Sequence, residues 1–428
     1  MSAVRQLTQL SASQAAALLS RREISAEELT RACLHRIADR EPRVQAWQFL
    51  DEKIALAQAR KIDRNPVGPL FGVPIGIKDI IDTADMPTEY GSSIFVGHRP
   101  TSDAACVAAL RHSGAVILGK TVTTEFAYFT PGKTRNPSRP EHTPGGSSSG
   151  SAAAVADQMV PIALGTQTAG SIIRPASFCG VIGFKPTFGQ FPMKGIRELA
   201  ASLDTLGFLT RDLGDLPLTW KIFVGESWSL PTADVAPKIG FCRTEQWPLA
   251  SRETQRVLVE SAEALRNAGS RVEEIELGAP FTGLHDAQKV VMAFEMSQAL
   301  RSEREQHLDQ LGAHLREILE VGATTPVERY QAALARAAKC RRHIETVFAR
   351  FDVLLTPSAI GEAPGLDSTG DPAFNRIWTL LHLPCISLPT GRGERGLPIG
   401  IQLVGPPRGD ARLYQASGWA LRTLRTKG

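Results

Sequence analysis

Residues 142–189 constrain the fold of this chain more than any other stretch, because glycine, hydroxyl and other small side chains are concentrated there. Gly145 and Gly146 lack a Cβ and allow a sharp turn before the serines that follow. The alanine-rich SGSAAAVADQ then favours a helix, and VPIALG has the length and β-branching of a buried strand. A turn, a helix and a strand in direct succession predict a functional site.

Ser171 lies just after that predicted strand, in the loop TQTAGSIIRPAS. Pro175 suits the first turn of a further helix. The N–H groups of Thr168, Ala169, Gly170 and Ser171 would then converge on one point. Such a group of donors stabilises a developing oxyanion.

Two other interpretations of this stretch are weaker. Runs of Gly and Ser are often flexible linkers, but a linker would not continue directly into a helix and a buried strand. The motif Gly146-x-Ser148-x-Gly150 also matches the nucleophile elbow of α/β-hydrolases, which follows a strand. Here the polar segment 141–144 precedes it, so the match is better explained by chance.

Lys78 is a second candidate for chemistry, because it interrupts the apolar strand pattern GVPIGIKDI. An ion pair with Asp79 would explain a buried lysine at this point. Burial also lowers the pKa of a lysine, so that a neutral Lys78 would accept a proton from a serine. No histidine stands in a supported Ser/His/Asp order, and His142 is interpreted as loop structure or site lining.

Strand patterns alternate with helix patterns along most of the chain, which predicts an α/β fold with a sheet covered by helices. Ser11-x-x-Gln14 and Ser25-x-x-Glu28 resemble capping boxes, and they predict helices within residues 1–62. The pattern of residues 284–350 indicates a mostly helical insertion that would serve as a lid, a dimer face or plain packing.

Composition excludes several classes of protein. The formal net charge is +4 with lysines and arginines scattered, so no nucleic-acid partner is expected. No run of eighteen apolar residues appears, so no membrane partner is expected. The six cysteines form no C-x-x-C pair and no secretory leader is evident, which favours reduced thiols and a cytoplasmic location. Metal-ligand motifs are also missing, so no metal is expected.

Three motifs resemble those of the amidase signature hydrolases: GVPIGIKDI, then GGSSSGSAAAV with GTQTAGSIIRPASFCGVIGFKPT, then GLPIGIQLVGPP. The resemblance runs from about Leu18 to the end and implies one amidase domain over 1–428, a single large α/β/α sandwich with a mixed central sheet. Within the family, IKDIIDTADMPTEYGSS and STGDPAFNRIWTLLHLPC look most similar to malonamidase.

The resemblance implies a role for each small polar residue. Ser171 would be the acylated nucleophile, Ser147 a bridging serine on a cis peptide after Gly146, and Lys78 the base. The loop from Thr168 to Ser171 would form the oxyanion hole. An amine would leave first, and water would then release the acid from an acyl-enzyme without any cofactor.

Substrate binding would involve Arg174, Thr166 and Gly146. Arg174 stands three residues after Ser171, as in malonamidase, and would either clamp a substrate carboxylate or form a structural pair with a buried acid; the two interpretations carry equal weight. Thr166 would bond the serine network or substrate, or simply pack at a strand end.

Two residues depart from the family pattern around the nucleophile. Gln167 occupies a position where much of the family has Asp. Ala169 replaces a usual Gly, and its Cβ would distort the oxyanion loop if that position needs positive φ.

The expected function is therefore hydrolysis of a small linear amide, including one that bears a carboxylate, such as malonamate. The alternatives are the glutaminase subunit of a tRNA-dependent amidotransferase and a non-catalytic scaffold of the same fold. The expected partner is a small-molecule amide substrate, and the family suggests a homodimer.

Overall fold

A single mixed β-sheet of eleven strands runs through the computed structural model. The structure describes residues 3–229 and 235–425. In spatial order the sheet is β1-β3-β2-β4-β6-β5-β10-β11-β9-β7-β8. The strands are β1 (Trp47–Leu50), β2 (Pro74–Lys78), β3 (Val116–Thr121), β4 (Ile162–Gln167), β5 (Ile182–Lys185), β6 (Thr205–Thr210), β7 (Ile239–Cys242), β8 (Val272–Ile275), β9 (Val353–Pro357), β10 (Cys385–Arg392) and β11 (Pro398–Val404).

Fifteen α-helices of the described residues flank this sheet, which confirms the predicted α/β architecture with a mixed central sheet. They are α1 (Ala3–Gln9), α2 (Ala12–Ser20), α3 (Ala26–Val44), α4 (Glu52–Arg64), α5 (Ala105–His112), α6 (Ser149–Ala156), α7 (Ile173–Cys179), α8 (Leu216–Val224), α9 (Arg252–Asn267), α10 (Leu284–Ala299), α11 (Arg301–Gln306), α12 (Ala313–Thr324), α13 (Val327–Phe348), α14 (Arg376–Leu380) and α15 (Asp410–Arg425).

The strand pairing brings the two halves of the candidate site together. Strand β2 is parallel to β4, with Ile75 opposite Ile162 and Gly76 opposite Ala163. Parallel strands end at the same edge of a sheet. Lys78, the last residue of β2, therefore emerges next to the end of β4, from which the loop to Ser171 departs.

The predicted capping boxes are present in the structure. The Ser11 and Ser25 hydroxyls accept from the N–H groups of Gln14 and Glu28, whose side chains accept from the serine N–H groups in return. Each box satisfies otherwise unpaired donors at the first turn of a helix.

Local patterns did not indicate strands β1, β5 and β6, and β1 lies inside the segment predicted to be helical. Strand β1 has only four residues, too short for a clear alternation. Pairing with β3, where Trp47 lies opposite Thr121, decides its conformation. Tertiary pairing of this kind overrides local propensity.

The helical region 284–350 is built from α10 to α13. Its first helix reaches the loop that follows β4, because the Gln288 side chain donates to the Thr168 carbonyl at 3.1 Å. Met292, one turn later, lines the cavity beside Ser171. Helix α10 is therefore part of the wall of the candidate site. The assignment of the chain to one domain with two helical segments stays a prediction.

No helix among the residues that the structure describes combines the length and the apolar character needed to cross a bilayer.

Candidate active site

Lys78 is completely buried, and its amine bonds to hydroxyls rather than to an acid. Its Nζ lies 2.7 Å from Ser147 Oγ and 2.8 Å from Thr166 Oγ1. Burial lowers its pKa from 10.5 to about 7, while the charge of Asp204 opposes that shift. Near neutral pH, about half of these amines are uncharged and able to accept a proton.

The simple ion-pair interpretation of Lys78 is wrong, because Asp79 has a different partner. The Asp79 carboxylate pairs with the buried Lys120 at 3.2 Å. It also accepts from the N–H of Glu89 at 3.1 Å. Lys120 therefore neutralises the Asp79 carboxylate, and Lys78 has no salt bridge with it.

Ser147 lies on the cis peptide bond that the resemblance implied, between Gly146 and Ser147. The turn before it depends on two glycines. Gly145 has φ +84°, and a Cβ there would lie 2.9 Å from the Cα of Pro175. A Cβ on Gly146 would lie 2.9 Å from the Thr369 methyl group. Larger residues at either position would therefore displace the serine.

Ser171 and Ser147 line one narrow cavity with a volume of about 10 Å³, room for about one water molecule. The other lining residues are Ala127, Tyr128, Phe129, Thr168, Ala169, Arg174, Leu199 and Met292. Among the residues described, no hydrogen bond joins the two serine hydroxyls. Of the predicted relay, the hydrogen bond between Lys78 and Ser147 is present. The hydrogen bond between Ser147 and Ser171 is not.

The N–H groups of residues 168–171 have no hydrogen-bond acceptor within the described parts of the chain, so they are free to bind an oxyanion. Gly170 cannot be replaced without a clash, since a Cβ there would lie 2.4 Å from Asn375 Oδ1. Ala169 is not among the residues with positive φ. The Cβ of Ala169 therefore imposes no backbone strain on this loop.

Gln167 fixes the shape of the same loop, a role that the family resemblance did not suggest. Its Oε1 accepts from the N–H groups of Ile172 and Ile173 at 2.9 and 3.1 Å, at the start of α7. Its Nε2 donates to Thr379 Oγ1 at 3.0 Å, and that hydroxyl donates to the Ala169 carbonyl at 2.9 Å. A neutral amide thus both accepts and donates here, which a carboxylate cannot do.

Thr168 is held by Gln288 at its carbonyl and by Asp204 at its hydroxyl. Its hydroxyl donates to Asp204 Oδ1 at 2.5 Å, while Asp204 Oδ2 accepts from the N–H groups of Leu199 and Ala200. Burial raises the pKa of Asp204 to about 6, and these hydrogen bonds oppose the shift. Asp204 therefore stabilises the loop and places a negative charge near Lys78.

Arg174 is 1% exposed and lines the cavity. Its Nη2 donates to the Gly146 carbonyl, the carbonyl of the cis bond, at 2.6 Å. Its Nε and Nη1 have no partner, and its guanidinium lies 5.5 Å from the Phe129 ring centroid. Burial lowers the pKa of Arg174 to about 9. No salt bridge to an acid forms within the described residues, so the structural ion pair considered for Arg174 is not present.

His142 lies away from the cavity lining. Its Nδ1 lies 2.9 Å from the Ala363 carbonyl oxygen, so it belongs to the loop structure. All six cysteines are buried and unpaired. Residues 3–229 and 235–425 contain no cluster of three side chains suited to a metal ion.

Comparison with known proteins agrees with this geometry. The amidase family model matches residues 28–414. The chain belongs to the amidase family. It shares 35% identity over 470 residues with a glutamyl-tRNA(Gln) amidotransferase subunit from Desulforudis audaxviator, covering 96% of this chain and 94% of that protein. The corresponding protein of Roseiflexus castenholzii is 34% identical, with 93% and 92% covered.

Solved amidase structures have the same fold. A crystal structure of an amidase superposes with a TM-score of 0.89 at 29% identity, covering 97% of this chain and 100% of that one. The peptide amidase of Stenotrophomonas maltophilia gives 0.84 at 29% identity, with 97% of each chain covered. The predicted family, the amidase signature fold and the enzyme class are therefore confirmed: this chain is a hydrolase of amide C–N bonds.

Proposed function

We propose that Ser171 is the nucleophile of this amidase and that Ser147 and the neutral amine of Lys78 remove its proton. The observation that carries the proposal is the buried Lys78 amine, 2.7 Å from the Ser147 hydroxyl and unpaired with any carboxylate of the described residues. An uncharged amine at hydrogen-bond distance is the geometry that general-base catalysis needs.

In the proposed reaction, Ser171 Oγ forms a bond to the amide carbonyl carbon while its proton moves to Ser147 and the Ser147 proton moves to Lys78. The carbonyl oxygen becomes an oxyanion that accepts from the free N–H groups of residues 168–171. The C–N bond then breaks, and the proton held by Lys78 returns through Ser147 to the leaving amine. Water attacks the acyl-enzyme by the same route and releases the acid.

The substrate is proposed to carry a carboxylate as well as an amide. Arg174 supports this, because two of its guanidinium nitrogens are buried without partners at the cavity. A substrate carboxylate would satisfy them with charge-assisted hydrogen bonds.

Glutamine and malonamate both carry an amide and a carboxylate, and they distinguish the two candidate functions, amidotransferase subunit and malonamate hydrolase. The curated relatives are glutamyl-tRNA(Gln) amidotransferase subunits, so they favour the amidotransferase alternative over malonamate hydrolysis. We therefore place first the release of ammonia from glutamine, which has a primary amide and a carboxylate, within a complex with protein partners. Malonamate hydrolysis is the second candidate, supported by the position of Arg174 and by Gln167.

The test measures ammonia release from glutamine, malonamate, malonamide and simple aliphatic amides by the wild-type protein and the Ser171→Ala variant. Loss of turnover in the variant is expected, and equal turnover would refute the role of Ser171. Preference for glutamine together with stable co-purification of further protein components would support the amidotransferase function. Preference for malonamate by the isolated chain would support the second candidate.

A further inference from the structure

A second buried arginine lies beside Arg174. Arg376, the first residue of α14, is 5% exposed, and its Nε has no hydrogen-bond partner. Its guanidinium lies 5.8 Å from the centroid of the same Phe129 ring that Arg174 approaches to 5.5 Å. Two guanidiniums thus meet at one aromatic ring on the wall of the cavity.

No salt bridge neutralises either arginine among the residues that the structure describes. The charge of Asp371 raises the pKa of both arginines, but Asp371 is exposed to solvent and forms no salt bridge with either. Burial lowers the pKa of Arg376, and the charge of Arg376 in turn disfavours the charge of Arg174. Two buried cations without an anion are costly, since buried charges normally have a partner.

Arg376 is also joined to the oxyanion loop. Its Nη1 donates to Gln288 Oε1 at 2.6 Å, and Gln288 Nε2 donates to the Thr168 carbonyl at 3.1 Å. Gln288 is fully buried. The chain Arg376–Gln288–Thr168 therefore connects the second cation with the loop that holds the nucleophile.

We propose that Arg376 is a specificity-determining residue: together with Arg174 it forms a two-cation site for the carboxylate of the substrate. Arg174 contacts the carboxylate, and Arg376 acts as a positioning residue that adds positive charge and holds Thr168 through Gln288. The inference rests on the proposed function, because it assumes that an acidic amide occupies the cavity. It predicts discrimination between substrates that differ only in the carboxylate.

The experiment compares matched substrate pairs: glutamine with 4-aminobutanamide, and malonamate with malonamide. In Arg376→Met, kcat/KM for the acidic member is expected to fall at least about tenfold more than for the neutral member, mainly through KM. Arg376→Lys should restore most of the preference because it keeps the charge. Gln288→Leu keeps both arginines and should lower kcat for both members equally.

Arg341→Met is the matched control, since Arg341 also bonds to α14, through the Leu380 carbonyl at 2.7 Å. It should leave the ratio of acidic to neutral substrate unchanged. If Arg376→Met does not fold, Arg376→Gln replaces it, because glutamine keeps a polar group without the charge. If the folded Arg376→Met or Arg376→Gln variant keeps the wild-type ratio of kcat/KM between the acidic and the neutral substrate, the inference is overturned.

Direct binding separates this inference from the proposed function. In the Ser171→Ala background, isothermal titration with malonate and glutarate should show at least about tenfold weaker binding after Arg376→Met, while malonamide binding stays unchanged. If the wild-type protein hydrolyses no amide but this binding difference is found, the proposed function fails and the anion site stands. If amides are hydrolysed but no dicarboxylate binding depends on Arg376, the inference fails alone.

Discussion

Replacing Lys78 by methionine should change the pH dependence of stability by an amount that follows from its burial. The folded protein holds this amine with a pKa of about 7, against 10.5 for an exposed lysine. The folded state therefore binds a proton less readily than the unfolded chain. A shift of this size disfavours the charged form by about 5 kcal/mol, at about 1.36 kcal/mol per pKa unit.

The sign follows from proton linkage. Between pH 7 and about pH 10.5 the unfolded chain binds a proton at this lysine and the folded chain does not, so wild-type stability rises with pH. From pH 6 to pH 10 this one group contributes a rise of about 4 kcal/mol. Lys78→Met lacks the amine and should lack that rise.

The free energy of unfolding is measured by urea titration at pH 6 and pH 10 for both proteins. The free energy of unfolding of Lys78→Met minus that of wild type should be about 4 kcal/mol more positive at pH 6 than at pH 10. The lost bonds to Ser147 and Thr166 shift both values alike, by about 1–3 kcal/mol. Lys53→Met, at an exposed lysine, is the control and should show no such difference. A difference near zero for Lys78→Met would refute the neutral buried amine.

Three further results are expected. Because the amine of Lys78 must be uncharged, kcat/KM should fall about 50-fold between pH 7 and pH 5 with an apparent pKa of about 7; a flat profile would count against this base. Asp204→Asn should move that limb to lower pH, since it removes the charge that raises the Lys78 pKa, and an unmoved limb would contradict the assigned electrostatics. Gly170→Ala should lower kcat about 100-fold or more, because the new Cβ meets Asn375 Oδ1 at 2.4 Å, whereas Ala169→Gly should be tolerated; equal kcat values would argue against this oxyanion loop.

Much of the candidate site could be predicted from local sequence because its parts lie in long, specific motifs. Lys78 interrupts an apolar strand, and Ser147 and Ser171 lie in glycine-containing turns. Parallel pairing of β2 with β4 then brings Lys78 to Ser147 and Thr166, a contact that a motif implies only by resemblance.

The residues that tune the site could not be predicted in the same way. Gln288, Arg376 and Asp204 come from three distant segments, and each has the local pattern of an ordinary helix or loop residue. Asp204 and Gln288 bond to Thr168, and Arg376 bonds to Gln288; no periodicity in the sequence shows these tertiary contacts. The signal that identifies Arg376 is a buried guanidinium without an acid, and that signal requires coordinates.

Strands β1 and β5 escaped prediction for a related reason. Each has four residues, and each is defined by its neighbour in the sheet rather than by its own alternation. Strand β6 pairs with both β4 and β5, so its extended conformation also depends on contacts with residues distant in the sequence. The overall class was predictable because the longer strands and helices alternate clearly.

The most direct measurement is mass spectrometry of the protein quenched during turnover of an amide substrate, followed by peptide mapping. We expect an acyl adduct on Ser171 that added hydroxylamine diverts to a hydroxamate, and we expect no adduct in Ser171→Ala or Lys78→Met. An adduct on another residue, or steady turnover with no adduct and no hydroxamate, would contradict this expectation.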